Sequence, residues 1–215
     1  MREEIIQAGD TAVRLVLPGS YEAGGGRRYP LLLILDPGLY GGEAVERLHS
    51  GGVLPEILVA TLQGTGIPPA ECLRVICEEF RLLEHPVSRW IAGTGHTAVT
   101  AMNVVLDHPE AFGKAACLST SFEGIEGAPP LHSAILRSLE ERPFLPETAR
   151  IFFDYGTLGL DECYEPYHRD LGAIFRGREW QEGREFQIVR TAGGSHDATS
   201  WNARLGPALQ WLAAR

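Results

Sequence analysis

The segment "RWIAGTGHTAVTAMNVVLDHPEAFG", Arg89 to Gly113, reads as a strand, a Gly-rich tight turn and a helix. In many hydrolases such a turn presents a nucleophilic serine to a cleft, held in a strained backbone conformation. This turn has no serine, and its hydroxyls are Thr94 and Thr97. Near the C-terminus, "GGSHDATSW" sets His196 on a Gly-rich loop. A lone loop histidine is as good a surface residue as a general base. "GTLGLDE" carries Asp161 and Glu162, which either orient a histidine or cap the following helix, where negative charge is favourable. Acyl transfer is the chemistry at issue, with its usual nucleophile absent.

The elements around these residues alternate. Strands are predicted over 11–21, 29–36, 54–62, 88–93, 114–120, 150–156 and 185–191, most of them apolar throughout. Helices are predicted over 69–84, 96–107, about 162–176 and at the C-terminus. The first, third and last of these turn inward Leu73, Ile76, Cys77, Phe80 and Leu83; then Cys163, Tyr167, Leu171 and Ile174; then Trp201, Leu205, Leu209 and Leu212. This implies an α/β fold, a mainly parallel central sheet with helices on both faces. Ligands bind such sheets at the strands' carboxyl ends. Residues 121–149 are Pro-rich and break the alternation, so they are expected to form a small cap within a single domain spanning 1–215.

Composition narrows the function classes. The 215 residues carry a net charge of −9 and a single lysine, Lys114, so the clustered positive charge of a nucleic-acid partner is missing. The longest apolar runs, "LLLIL" and "VLPEILVA", are too short to span a bilayer, and the acidic N-terminus is unlike a secretory signal. No membrane partner and a cytoplasmic location are expected. Cys72, Cys77, Cys117 and Cys163 form no CxxC pair and are expected to be reduced and mostly buried. Glu162, Glu165 and His168 near one helix face are a weak metal pattern, so neither metal nor cofactor is expected. A homodimer is compatible with the sequence.

Four stretches carry a resemblance: "VRLVLPGSYEAGGGRRYPLLLILDPG" (13–38), "RWIAG" with "LDHPEAFGKAACLSTSF" (106–122), "RIFFDYGT" (150–157) and "GGSHDATSWNARLGPALQWL" (193–212). Together they resemble the esterase family of α/β-hydrolases that includes esterase D and the enterochelin esterases. That resemblance implies the α/β-hydrolase fold, a carboxylic-ester substrate and a serine in Ile-Ala-Gly-x-Ser-x-Gly-Gly. From Gly93 to His108 and Pro109 the spacing is 15 and 16 residues, the same as in the family, which places the serine position on Gly95. Reading "GHT" as the elbow instead makes Thr97 the nucleophile, but needs a two-residue insertion and puts Val99 where a small residue is required; Thr94 needs His96 there.

The resemblance also assigns His196 as the family histidine, and the backbone N–H groups of His96 and Gly38 as oxyanion donors. The family's acid position falls on Gly159, leaving Asp161 or Glu162 either to substitute or to cap. Thr97 stands at a family glycine and is expected to crowd the turn. Ser119 and Ser121 are read as structural or substrate-facing. The "QGTGIPPAE" segment (63–71) is shorter than in the family, which reduces the binding wall. Three functions remain open: a degenerate or very weak esterase that keeps its cleft and His196; an active hydrolase using His196-activated water or a nearby Thr/Ser; and a pseudoenzyme binding a ligand or protein. The ligand implied is a small ester or ester-like molecule.

Overall fold

The computed structural model describes residues 2–22, 24–64, 66–122, 133–142 and 146–214. The chain opens with a hairpin of β1 (Arg2–Ala8) and β2 (Thr11–Leu17), turned at Gly9 with φ +59°. Strands and helices then alternate. They run β3 (Leu31–Ile34), α1 (Gly41–Ser50), β4 (Leu58–Leu62), α2 (Pro69–Glu79), β5 (Arg89–Thr94), α3 (Gly95–Asp107), β6 (Lys114–Leu118), α4 (Ala134–Glu140), β7 (Arg150–Gly156), α5 (Glu165–Gly177), β8 (Phe186–Thr191) and α6 (Ala198–Ala213). The strand order is β1-β2-β4-β3-β5-β6-β7-β8. Only β2 runs against its neighbours, and β3 to β8 are parallel.

The continuous apolar strands are explained by two cores. Leu31, Leu33, Ile91 and Phe153 pack on one face with Leu73 of α2, Met102 of α3 and Leu171 of α5. Leu32, Ile34, Ala92 and Phe152 pack on the other with Val45 of α1 and Leu205 and Leu209 of α6. Each of the larger of these side chains contributes roughly 1.5–3 kcal/mol on burial. Among the described residues, no helix is long and apolar enough to cross a membrane.

Several elements differ from the sequence reading. Helix α2 stops at Glu79 instead of running to residue 84, because Phe80 turns extended and the next residues pair with Tyr29. The Tyr29 N–H donates to Arg81 O, and the Leu83 N–H donates to Tyr29 O. Cys72 and Cys117 are buried as expected, whereas Cys77 and Cys163 are exposed. Cys77 lies outside the buried face of Cys72, Leu73 and Ile76, and Cys163 falls in a 3₁₀ turn ahead of α5. Of the cap expected over 121–149, residues 123–132 and 143–145 lie outside the described residues. Helix α4 docks on the α5 end, where Arg178 donates to the Leu139 and Glu140 carbonyls.

Candidate active site

The candidate groups gather at the carboxyl edge of β5, β7 and β8. Strand β5 passes into α3 with almost no gap between them. A Cβ on Gly93 would lie 2.4 Å from the Thr97 carbonyl and 2.7 Å from Ala98 N, so only glycine fits. Gly95 has φ +52°, the left-handed region that favours glycine. Its ideal Cβ position is 3.3 Å from His196 Nε2.

Thr97 does not crowd this turn. Its hydroxyl accepts from Thr94 N (2.8 Å) and donates to Thr94 O (2.9 Å), while the Thr94 side chain accepts from the Thr97 N–H. This reciprocal cap satisfies donors that the first helical turn otherwise leaves open. Thr97→Gly is therefore expected to destabilise the protein, by about 1 kcal/mol or somewhat more. Urea unfolding checks this, and equal or higher stability of the variant would contradict the capping role.

His196 is set by a contact between two loops. Gly156 and Gly194 touch so closely that a Cβ on Gly156 would lie 2.0 Å from Gly194 O. That carbonyl accepts from Thr157 N and Leu158 N at 2.9 and 3.0 Å. Asp197 caps α6, accepting from Ser200 N at 3.0 Å. The imidazole lies edge-on to Trp201 and Tyr164, with ring centroids 5.0 and 5.8 Å away.

His196 Nδ1 is 2.9 Å from Asp161 Oδ1. Asp161 is fully buried in the 3₁₀ turn Gly159–Tyr164 and gives no cap to α5, whose N-cap Tyr164 makes no side-chain capping bond. Gly159 turns the chain through φ +63° and so brings Asp161 inward; Glu162 stays exposed. The other Asp161 oxygen accepts from Ser119 Oγ (2.6 Å), Gly156 N (2.8 Å) and Arg204 Nη2 (3.2 Å). Burial alone would raise its pKa, but the hydrogen bonds from His196, Ser119 and Gly156, with the Arg204 charge, hold it below the ordinary value.

Behind Asp161 lies a polar network that the sequence reading missed. Arg204, 5% exposed, bonds Asp154 Oδ1 (3.1 Å), Ser119 Oγ (2.8 Å) and Ser195 O (2.9 Å) as well as Asp161. Ser119, with φ +47°, also accepts from Trp201 Nε1 at 2.9 Å and donates its N–H to Asp154 at 3.0 Å. Burial pushes the Asp154 carboxyl up to about 6, against the pull of Arg204 and the Ser119 N–H. The available signal was a lone aspartate in the apolar strand "RIFFDYG" and an arginine on the inward side of α6. Two opposite charges buried in adjacent elements imply a pair.

On the oxyanion side the Gly38 loop differs from the expectation. The Gly38 N–H is already donated to Asp36 Oδ1 at 2.7 Å. Leu39 N donates to Asp36 O (3.1 Å), Tyr40 N donates to Asn202 Oδ1 (2.6 Å), and Pro37 has no N–H. No backbone donor of residues 37–40 is free for a ligand in this conformation. His96, the second residue of α3, lies where an N–H has no acceptor within its own helix. Gly95, His96, Asp36, Tyr164, Trp201 and His196 line one cleft of about 540 Å³.

No family model matches the sequence, and no curated protein does either. Solved structures do. A ferulic acid esterase is 18% identical with a TM-score of 0.75, covering 99% of each chain. The S-formylglutathione hydrolase of Staphylococcus aureus is 14% identical with a TM-score of 0.70 over 100% of both chains. The enterobactin esterase of Shigella flexneri, solved with enterobactin, is 17% identical with a TM-score of 0.78. The fold is that of the esterase-type α/β-hydrolases. The chain spans 58% of that enterobactin esterase but the whole length of the other two. In this α/β-hydrolase fold, Gly95, Asp161 and His196 come together at one edge, while the Gly38 N–H is donated to Asp36.

Proposed function

We propose that this chain is an esterase-type scaffold that has lost the covalent step: a pseudoenzyme or very weak carboxylic-ester hydrolase that still binds a small molecule in the His196 cleft. Gly95 stands as the nucleophile position, His196 as the remaining base, and Asp161 as its acid. The observation that carries the reading is Gly95 at φ +52°, with its missing Cβ directed to within 3.3 Å of a His196 that is itself bonded to Asp161. On this reading His196 and Asp161 are the base and its carboxylate, and the hydroxyl they would act on is missing.

A slow reaction through water is the second reading, and the same observation favours it. A water placed above Gly95 would lie within reach of His196 Nε2, which could take its proton as the oxygen attacks an ester carbonyl. Hydrolases stripped of their triad keep roughly 10³–10⁴-fold over water through the oxyanion hole and binding contacts, so a slow reaction needs no serine. With short p-nitrophenyl esters, the expected result is slow hydrolysis without a burst, lost in His196→Ala. A stoichiometric burst of p-nitrophenol from the unaltered protein would end the proposal, because it requires an acyl-enzyme.

A further inference from the structure

We propose that Asp36 makes the cleft a receptor for a small organic ammonium, in place of the acyl oxyanion that an esterase cleft would hold. This rests on the reading of the His196 cleft as a retained ligand site.

The polarity of one wall is reversed. In an esterase cleft, the loop after this early strand points a backbone N–H at the developing negative oxygen. Here the loop turns that N–H onto its own Asp36, and the carboxylate itself lines the cleft. Asp36 is half-buried and fixed at both oxygens, by Gly38 N on Oδ1 and by Thr94 Oγ1 on Oδ2. A carboxylate has about four acceptor positions, so lone pairs remain for a ligand. Holding the group in advance lowers the ordering cost of binding.

The remaining lining agrees. Among the described residues that line the cleft, there is no lysine or arginine. Its two histidines are His196, committed at Nδ1 to Asp161, and His96, which is exposed. The half-buried Trp201 contributes an aromatic ring to the wall, and such rings attract a nearby cation. The chain's net charge of −9 favours the approach of a cation and opposes that of a carboxylate. An anionic ligand would meet Asp36 with only the first-turn amides of α3 to offset it.

The test is a matched trio of probes: benzylammonium, neutral benzyl alcohol and phenylacetate, titrated against the unaltered protein. The reporter is the indole N–H resonance of Trp201, which lies in the cleft and is hydrogen-bonded to Ser119. Benzylammonium is expected to shift it saturably, benzyl alcohol about ten- to a hundredfold more weakly, and phenylacetate not at all. Asp36→Asn can keep the bond to Gly38 N; it should weaken benzylammonium by a similar factor and leave benzyl alcohol unchanged. Equal or tighter binding of phenylacetate would overturn the charge preference while leaving a ligand site in place. Unchanged benzylammonium affinity in Asp36→Asn would likewise overturn it. Silence with all three probes would overturn both this proposal and the reading beneath it.

Discussion

Gly95→Ser is expected to turn an inert site into one that a fluorophosphonate labels stoichiometrically at residue 95. The serine Cβ would start 3.3 Å from His196 Nε2, so the imidazole must yield by a few tenths of an ångström. The His196 side chain is 24% exposed and has room to do so. Three features of the sequence argue against rescue by one substitution: Gly159 at the acid position, Thr97 in the turn and the shortened 63–71 segment. The first two fall: Asp161 bonds His196, and Thr97 caps α3. What remains is the shortened segment and the oxyanion side. Loss of one donor costs roughly 10²–10³ in kcat, and the Gly38 N–H is bound to Asp36. The variant should therefore label yet turn over p-nitrophenyl esters slowly. Adding Asp161→Asn should cost up to about 10⁴-fold more. A non-glycine residue at φ +52° should also lower stability, by about 1–3 kcal/mol. No labelling in a folded Gly95→Ser protein would reject Gly95 as the nucleophile position.

The second large effect is expected at Arg204. Arg204→Met leaves Asp154 and Asp161 buried without their shared cation, and breaking a buried pair costs about 3–5 kcal/mol. The loss should depend on pH. Asp154 sits at about 6, above its ordinary 3.8, so the native state holds an extra proton between those values. Stability from this group is present below about pH 4 and is lost as pH rises through about 6. Asp161 has the opposite sign: its pKa is lowered, so its contribution is lost only as the medium turns strongly acid. The Arg204→Met deficit should thus be larger at pH 8 than at pH 5, where protonated Asp154 no longer needs the cation. Urea unfolding at the two pH values reads it directly. A deficit that is pH-independent or largest at pH 5 would contradict the paired-carboxylate account.

The fold was legible because both faces of the sheet are buried. Strands such as "YPLLLILD" and "RIFFDYG" then read as unbroken apolar runs, and α5 and α6 show inward residues at helical spacing. β1 was not legible: "REEIIQA" pairs on one side only and exposes most of its residues. Nor was α1, whose 10 residues bury mainly Gly41, Ala44 and Val45. At the site, the family resemblance pointed to Gly95 and His196, and each lies by a close backbone contact that needs glycine, at Gly93 and at Gly156 against Gly194. Asp161 stayed ambiguous because its direction depends on the left-handed turn at Gly159, which leaves no local pattern. The Arg204–Asp154–Ser119 network joins β6, β7 and α6, distant in sequence, and only the folded sheet brings them together. The diversion of the Gly38 N–H rests on a side-chain rotamer of Asp36, which spacing cannot show.

The account stands most directly on the absence of a nucleophile, and intact-protein mass spectrometry of the unaltered protein after excess fluorophosphonate measures that. The predicted spectrum shows the unmodified mass alone. One adduct per chain, mapped by peptide analysis to Thr94, Thr97 or Ser119, would contradict it.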